Sequence, residues 1–189
     1  MLISSQEQYQ SFSEITRNSL VHALKEHSCD LDEQSIEELM RAYDSLSIFP
    51  DVAPTLNKLS SKPDIECVVF SNGTKTMVSN SVTKSEELSP YASVFRNLIT
   101  VDFVRSFKPA PEVYKYLAQC VEKVGKEDEM WLVSGNPFDV VGARAVGMQA
   151  AWVDRAGKGW QDMLGGKPTV VVRSLEEVVD AVANHAKVK

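Results

Sequence analysis

From residue 65 onward, apolar runs of strand length alternate with segments of helical periodicity. The runs cover 65–70, 98–101, 130–133, 150–153 and 169–172, and helical patterns fill 75–84, 111–124, 138–146 and 175–186. Strand–helix alternation of this kind calls for parallel strands joined by right-handed crossovers. The runs are continuously apolar rather than alternating, which suits a sheet covered on both faces. The expected fold class is therefore α/β, with a Rossmann-like parallel sheet.

The first fifty residues have a different character. Phe12, Ile15, Leu20, Val21 and Leu24 recur near helical spacing, as do Ile36, Leu39, Met40, Tyr43 and Leu46. Ser35 and Glu38 offer a capping box for the second of these helices. Pro50 stops the pattern, and Asp51 can cap a short helix carrying Val52, Leu56 and Leu59. The organisation expected is a helical segment over 1–50 and an α/β core over 51–189.

At 189 residues and 43% hydrophobic content the chain can bury a sizeable core. A net charge of −6 and a pI near 5.1 argue against nucleic acid or an anionic membrane as partner. No apolar run has the length of a bilayer span, and "MLISSQEQYQ" lacks the charged and apolar regions of a secretion signal. Cys29, Cys67 and Cys120 lie far apart and match no metal-ligand spacing; His22, His27 and His185 likewise form no zinc pattern. These features point to a reduced, cytoplasmic protein without a cofactor.

In open parallel sheets ligands bind beyond the carboxyl ends of the strands. The first run ends in Ser71 and Asn72. The second leads into "SFKPAPEVY", with Lys108 before Pro109 and Tyr114 one turn into a helix. The third ends in "SGNPFD", with Ser134, Asn136 and Asp139. Each has a plainer explanation. Ser71-Asn72-Gly73 is a good turn and cap, Asn136 and Asp139 can cap the helix opening at Pro137, Tyr114 can be core and Lys108 solvated. One at a time the plainer explanation is favoured, but three clusters on one edge of one sheet point to a site. Neither "GKGW" nor "GGKP" has the spacing of a phosphate loop, and both read as surface loop. "KSEE" reads as a solvated helix end.

"VVFSNG", "TVDFVRSFKPAPEVY" and "LVSGNPFDVVGARAVGMQAAWVDR" together resemble the haloacid dehalogenase superfamily, and within it the L-2-haloacid dehalogenase (type II) branch. "YQSFSEITRNSLVHAL" and "YDSLSIFPDVAPTLNKL" are similar to the later helices of that branch's cap and its return to the core. The resemblance implies a Rossmann-like core with a partial helical cap over 1–50. It implies hydrolysis through an aspartyl ester: an Asp displaces halide from a 2-haloacid and water then cleaves the ester. Ser71 and Asn72 would hold the substrate carboxylate or the nucleophile. Lys108 would neutralise crowded carboxylates, and Tyr114 would orient its neighbours. Ser134, Asn136 and Asp139 would position nucleophile and water, with Phe138 and Phe12 lining an apolar pocket. Phosphatases of the superfamily carry a magnesium-binding Asp at the position of Gly135. A glycine side chain offers no oxygen ligand, so the metal-free branch is favoured.

The resemblance also implies an aspartate opposite Ser71, on a strand preceding the cap. No apolar strand followed by such an Asp occurs upstream of Ser71; Asp30, Asp32, Asp44, Asp51 and Asp64 stand in helical or turn contexts. The halide-gripping arginine of the family belongs to the same missing segment. The expectation is a haloacid dehalogenase-like protein that is inactive as written. The alternatives are a truncated form of an active hydrolase, a non-catalytic binding protein on a remodelled scaffold, or a different enzyme reusing the Lys108 cluster. A mid-sheet gap is expected to be closed by direct pairing of the flanking strands, by a rearranged N-terminal segment, or by a homo-oligomeric, strand-exchanged assembly. Any ligand would be a small 2-haloacid or related carboxylate.

Overall fold

The structure is a computed structural model that describes residues 9–43 and 47–188. Asp44 and Leu46, both used in the sequence reading, lie outside the described residues. The chain divides into two compact units, one of Met1–Phe49 with Pro63–Ser106, the other of Pro50–Lys62 with Phe107–Lys189. The stretch 51–189 thus contributes to both units.

The first unit opens with α1 (Phe12–Glu26) and α2 (Glu33–Ala42). The capping box lies at Ser11 and Glu14, not at Ser35 and Glu38. Ser11 Oγ accepts from Glu14 N at 3.3 Å, and Glu14 Oε2 accepts from Ser11 N at 2.7 Å. At α2 the Asp32 carboxylate takes the Ser35 amide at 2.8 Å, which starts the helix one turn before the expected box and leaves Ser35 inside it. Arg17 of α1 pairs with Glu33 of α2. Next come β1 (Cys67–Ser71), α4 (Lys75–Lys84) and β2 (Phe95–Thr100). The strands pair in parallel, with Ser71 beside Thr100 at their carboxyl ends. Thr74 caps α4 through the Met77 amide, and Val78 and Val82 form the helix's buried face.

The second unit holds α3 (Val52–Ser60), α5 (Pro111–Cys120), β3 (Trp131–Ser134), α6 (Pro137–Ala145), β4 (Gln149–Val153), β5 (Val170–Val172) and α7 (Val178–Val188). Its sheet runs β3-β4-β5, parallel throughout. Central β4 is buried along its whole length. Ala151 and Val153 meet Val172 and Val178 on one face, while Ala150 and Trp152 meet Val140 on the other. That two-sided burial is why 150–153 reads as unbroken apolar sequence.

Three further expectations are corrected. The helix expected over 111–124 ends at Cys120, where Glu122 turns to a φ of 55° and the Lys123 amide reaches back to Ala118. The last helix begins as a 3₁₀ turn over Leu175–Glu177. Asp51 stands at the N-cap of α3 without capping it, because its carboxylate accepts instead from Arg155 Nε at 2.9 Å, Arg155 Nη2 at 3.0 Å and Leu175 N at 3.0 Å. The fold is α/β with parallel pairing, as expected, and the described strands form two sheets, β1-β2 and β3-β4-β5. The segment from Phe12 to Glu26 is helical, so it supplies no strand.

Candidate active site

Lys108, Tyr114, Ser134, Asn136, Phe138 and Asp139 fall in the second unit; Phe12, Ser71 and Asn72 fall in the first. Within the second unit Lys108, Tyr114 and Ser134 converge on Asp139.

Asp139 lies in the first turn of α6, which Pro137 opens directly after β3. The carboxylate does not cap the helix. Its Oδ2 accepts from Ser134 Oγ at 2.8 Å, and Lys108 Nζ stands 2.9 Å from Oδ1. Ser134 Oγ in turn accepts from Asn136 N at 3.0 Å, which sets the hydroxyl's direction. The side chains of Lys108 and Asp139 are only 8% and 6% exposed, so bulk water stabilises neither charge and each offsets the other's desolvation. Although the ammonium is at ion-pair distance, Oδ1 accepts no aligned hydrogen bond, so it retains capacity for a further donor.

Tyr114, fully buried on α5, donates from its hydroxyl to the Asp139 carbonyl at 3.2 Å. Burial, and then the Asp139 charge, push the phenol upward, so it stays a protonated donor. The approach of α5 to α6 requires a glycine: a Cβ at position 142 would overlap the Tyr114 ring and hydroxyl. Gly142 was not singled out in the sequence, where a helical glycine carries no mark of its partner. Asn136 and Phe138 are exposed, and Asn136 occupies the N-cap of α6 without a side-chain cap bond. A Cβ at Gly135 would meet nothing closer than Val153 O at 3.6 Å, so crowding does not enforce that glycine. Among the described residues, no three His, Cys, Asp or Glu side chains group as a metal site.

In the first unit Ser71 Oγ accepts from Gly73 N at 3.0 Å, just past β1, with Asn72 between them. Asp102 binds neutral donors: Tyr9 Oη at 3.0 Å, Lys75 N at 3.2 Å and Thr100 Oγ1 at 3.4 Å. Arg105 lies over the Tyr9 ring, 5.7 Å from its centroid. Phe12 is half-buried at the start of α1.

The sequence reading missed Asp154, although it follows β4 as the others follow their strands. It is buried and accepts from Lys158 N at 3.1 Å and Gly159 N at 2.7 Å, which ties the surface loop "GKGW" to the end of the sheet.

A buried lysine–carboxylate pair just beyond the carboxyl end of β3, in an α/β protein with parallel sheets, stands where such folds commonly bind ligands. The sequence model of the haloacid dehalogenase-like hydrolases matches residues 3–147. Haloacetate dehalogenase H-2 of Moraxella sp. (strain B) is 32% identical over 93% of this chain and 75% of its own length. (S)-2-haloacid dehalogenase H-109 of Pseudomonas putida is 32% identical over 91% of this chain and 73% of its own. The solved L-2-haloacid dehalogenase of Xanthobacter autotrophicus superposes with a TM-score of 0.83 at 25% identity, over 95% of this chain and 79% of that one. The chain belongs to the haloacid dehalogenase-like hydrolase family, and these relatives are named as dehalogenases of haloacetate, (S)-2-haloacids and L-2-haloacids.

Proposed function

We propose that the chain carries the charge-neutralising half of a site for hydrolytic dehalogenation of short 2-haloacids, and that the strand-end carboxylates Asp102 and Asp139, among the described residues, do not serve as its nucleophile. The buried Lys108–Asp139 pair, oriented by Ser134 and Tyr114, carries the reading. Its relatives are named for haloacetate and (S)-2-haloacids, and the Xanthobacter autotrophicus enzyme also has a structure with chloropropionic acid covalently bound.

Displacement of halide by a carboxylate requires an oxygen lone pair in line with the carbon–halogen bond. In this chain the carboxylates that follow strands into the candidate clusters are already engaged. Asp139 holds Ser134 and faces Lys108, and Asp102 binds Tyr9, Lys75 N and Thr100. Lys108 would offset the negative charge of a nucleophile and a substrate carboxylate brought together, and Ser134 and Tyr114 would keep Asp139 in place while water is activated. The two sheets, each with free edges among the described residues, also favour self-association by strand addition.

Halide release from L-2-chloropropionate tests the reading. The expected result is no release above background from the chain assayed as written, and no magnesium-dependent phosphatase activity. Release abolished by Asp139→Asn would make Asp139 the nucleophile and overturn the reading. Release restored by adding a strand peptide with a terminal Asp would identify the missing group directly.

A further inference from the structure

We infer that Asn72-Gly73 is a latent deamidation site, and that the Ser71 hydroxyl holds it closed in the folded protein. The proposal goes beyond the dehalogenase reading and does not rest on it.

Asn72-Gly73 is the one Asn-Gly dipeptide in the sequence. Asparagine before glycine undergoes a spontaneous rearrangement. The glycine nitrogen loses its proton to solvent base and attacks the asparagine side-chain carbon, Cγ. A new N–Cγ bond forms, the Cγ–Nδ2 bond breaks, and ammonia leaves. Water then opens the resulting succinimide at either carbonyl, giving aspartate or isoaspartate. Glycine favours the attack because it has no Cβ to obstruct it and its backbone is free to turn.

Here that freedom is removed. The Gly73 N–H, which must be surrendered, donates to Ser71 Oγ at 3.0 Å. Gly73 is buried, and a Cβ there would sit 3.2 Å from Ser71 Oγ and 3.4 Å from Val78, so the backbone has little room to swing toward the Asn72 side chain. Both flanks are anchored. Ser71 ends β1 in register with Thr100, Lys75 N donates to Asp102, and Thr74 caps α4. Opening the loop costs the Ser71 bond before any attack can begin. Escape through the reaction would turn a neutral amide into a carboxylate. In the isoaspartate product it would also insert one methylene into the backbone between β1 and α4.

The test is mass spectrometry of the tryptic peptide bearing Asn72, with enzymatic detection of isoaspartate, after incubation at mildly alkaline pH. Folded wild type, Ser71→Ala, Ser71→Thr and wild type in urea are compared, with folding checked by circular dichroism. The expected order is rapid conversion in urea and slow conversion in the folded wild type. Ser71→Ala should convert about fivefold faster than wild type, the weight of one hydrogen bond. Ser71→Thr, which keeps the hydroxyl, should return toward wild type. Wild type converting as fast folded as in urea would overturn the proposal, as would a folded Ser71→Ala at the wild-type rate. Should Ser71→Ala fail to fold, hydrogen exchange at the Gly73 amide of the wild type decides. Protection over a free Asn-Gly peptide supports the lock, and exchange at the peptide's rate refutes it.

Discussion

Asp102 in the first unit and Asp139 in the second both follow a short parallel strand, and both accept a hydroxyl bond. They differ in what supplies the rest of their stabilisation. Asp102 is half-buried and takes Tyr9, Thr100 and the Lys75 amide, all neutral donors, the last at the first turn of α4. Asp139 is buried beside an ammonium that is itself buried. A carboxylate bound by neutral donors at a helix start is an ordinary structural device. A dry ion pair is a weak contributor to stability compared with apolar packing, so its presence points to chemistry rather than to folding.

Removing one member of each cluster sharpens this contrast. Lys108→Met leaves the Asp139 carboxylate buried without its countercharge and should cost about 3–5 kcal/mol in urea unfolding. Asp102→Asn keeps an acceptor for its donors and should cost about 1 kcal/mol. Comparable losses from the two would erase the distinction.

Between those effects lies the support beneath Asp139. Gly142→Ala should cost about 1–3 kcal/mol by driving Tyr114 off α6. The same change in a Tyr114→Leu background should cost far less, because the overlapping ring is gone. A double-mutant cycle with no coupling would show that Gly142 does not act through Tyr114.

The smallest expected effects are in pH dependence, and the two units should weaken at opposite ends. In the second unit burial pushes the Asp51 carboxyl up, but the bonds from Arg155 and Leu175 N and the Arg155 charge outweigh it and hold it below its usual value. Stability from this group is complete above its unfolded value of about 4 and is lost as pH falls through the lower folded value. The deficit of Asp51→Asn should therefore shrink on acidification below that point. In the first unit burial, the bond to Asp102 and its charge push the Tyr9 phenol up to about 12. Its contribution is complete below about pH 10 and fades as pH rises toward the folded value. The deficit of Tyr9→Phe should shrink over that alkaline window, followed by chemical denaturation at each pH. Deficits independent of pH would detach both groups from these partners.

Much of this was legible in sequence where one local signal decided the outcome. α4 matches its expected bounds because Thr74 caps it and Lys84 ends an apolar repeat. β4 was legible because both its faces are buried, so every residue after Gln149 reads apolar. The positions of Lys108, Ser134 and Asp139 followed from one rule, that strands end at the ligand edge. That rule applied to β4 would have raised Asp154 as well.

What the sequence by itself determined was the order and parallel sense of the elements, because hydrophobic period, turn residues and crossover handedness are local properties. Tertiary structure decided which partner each polar group takes. Asp51, the expected cap of α3, reaches across to Arg155 and Leu175 instead, while α2 is capped by Asp32. Ser35 lost its capping role to a residue three positions earlier, and Gly142 is required by the ring of a tyrosine 28 positions away in the chain. Lys108 was free on paper to be solvated and is buried against Asp139 instead. A hydrogen bond or ion pair depends on distances of a few ångströms between residues far apart in sequence, and those distances exist only once the elements have packed.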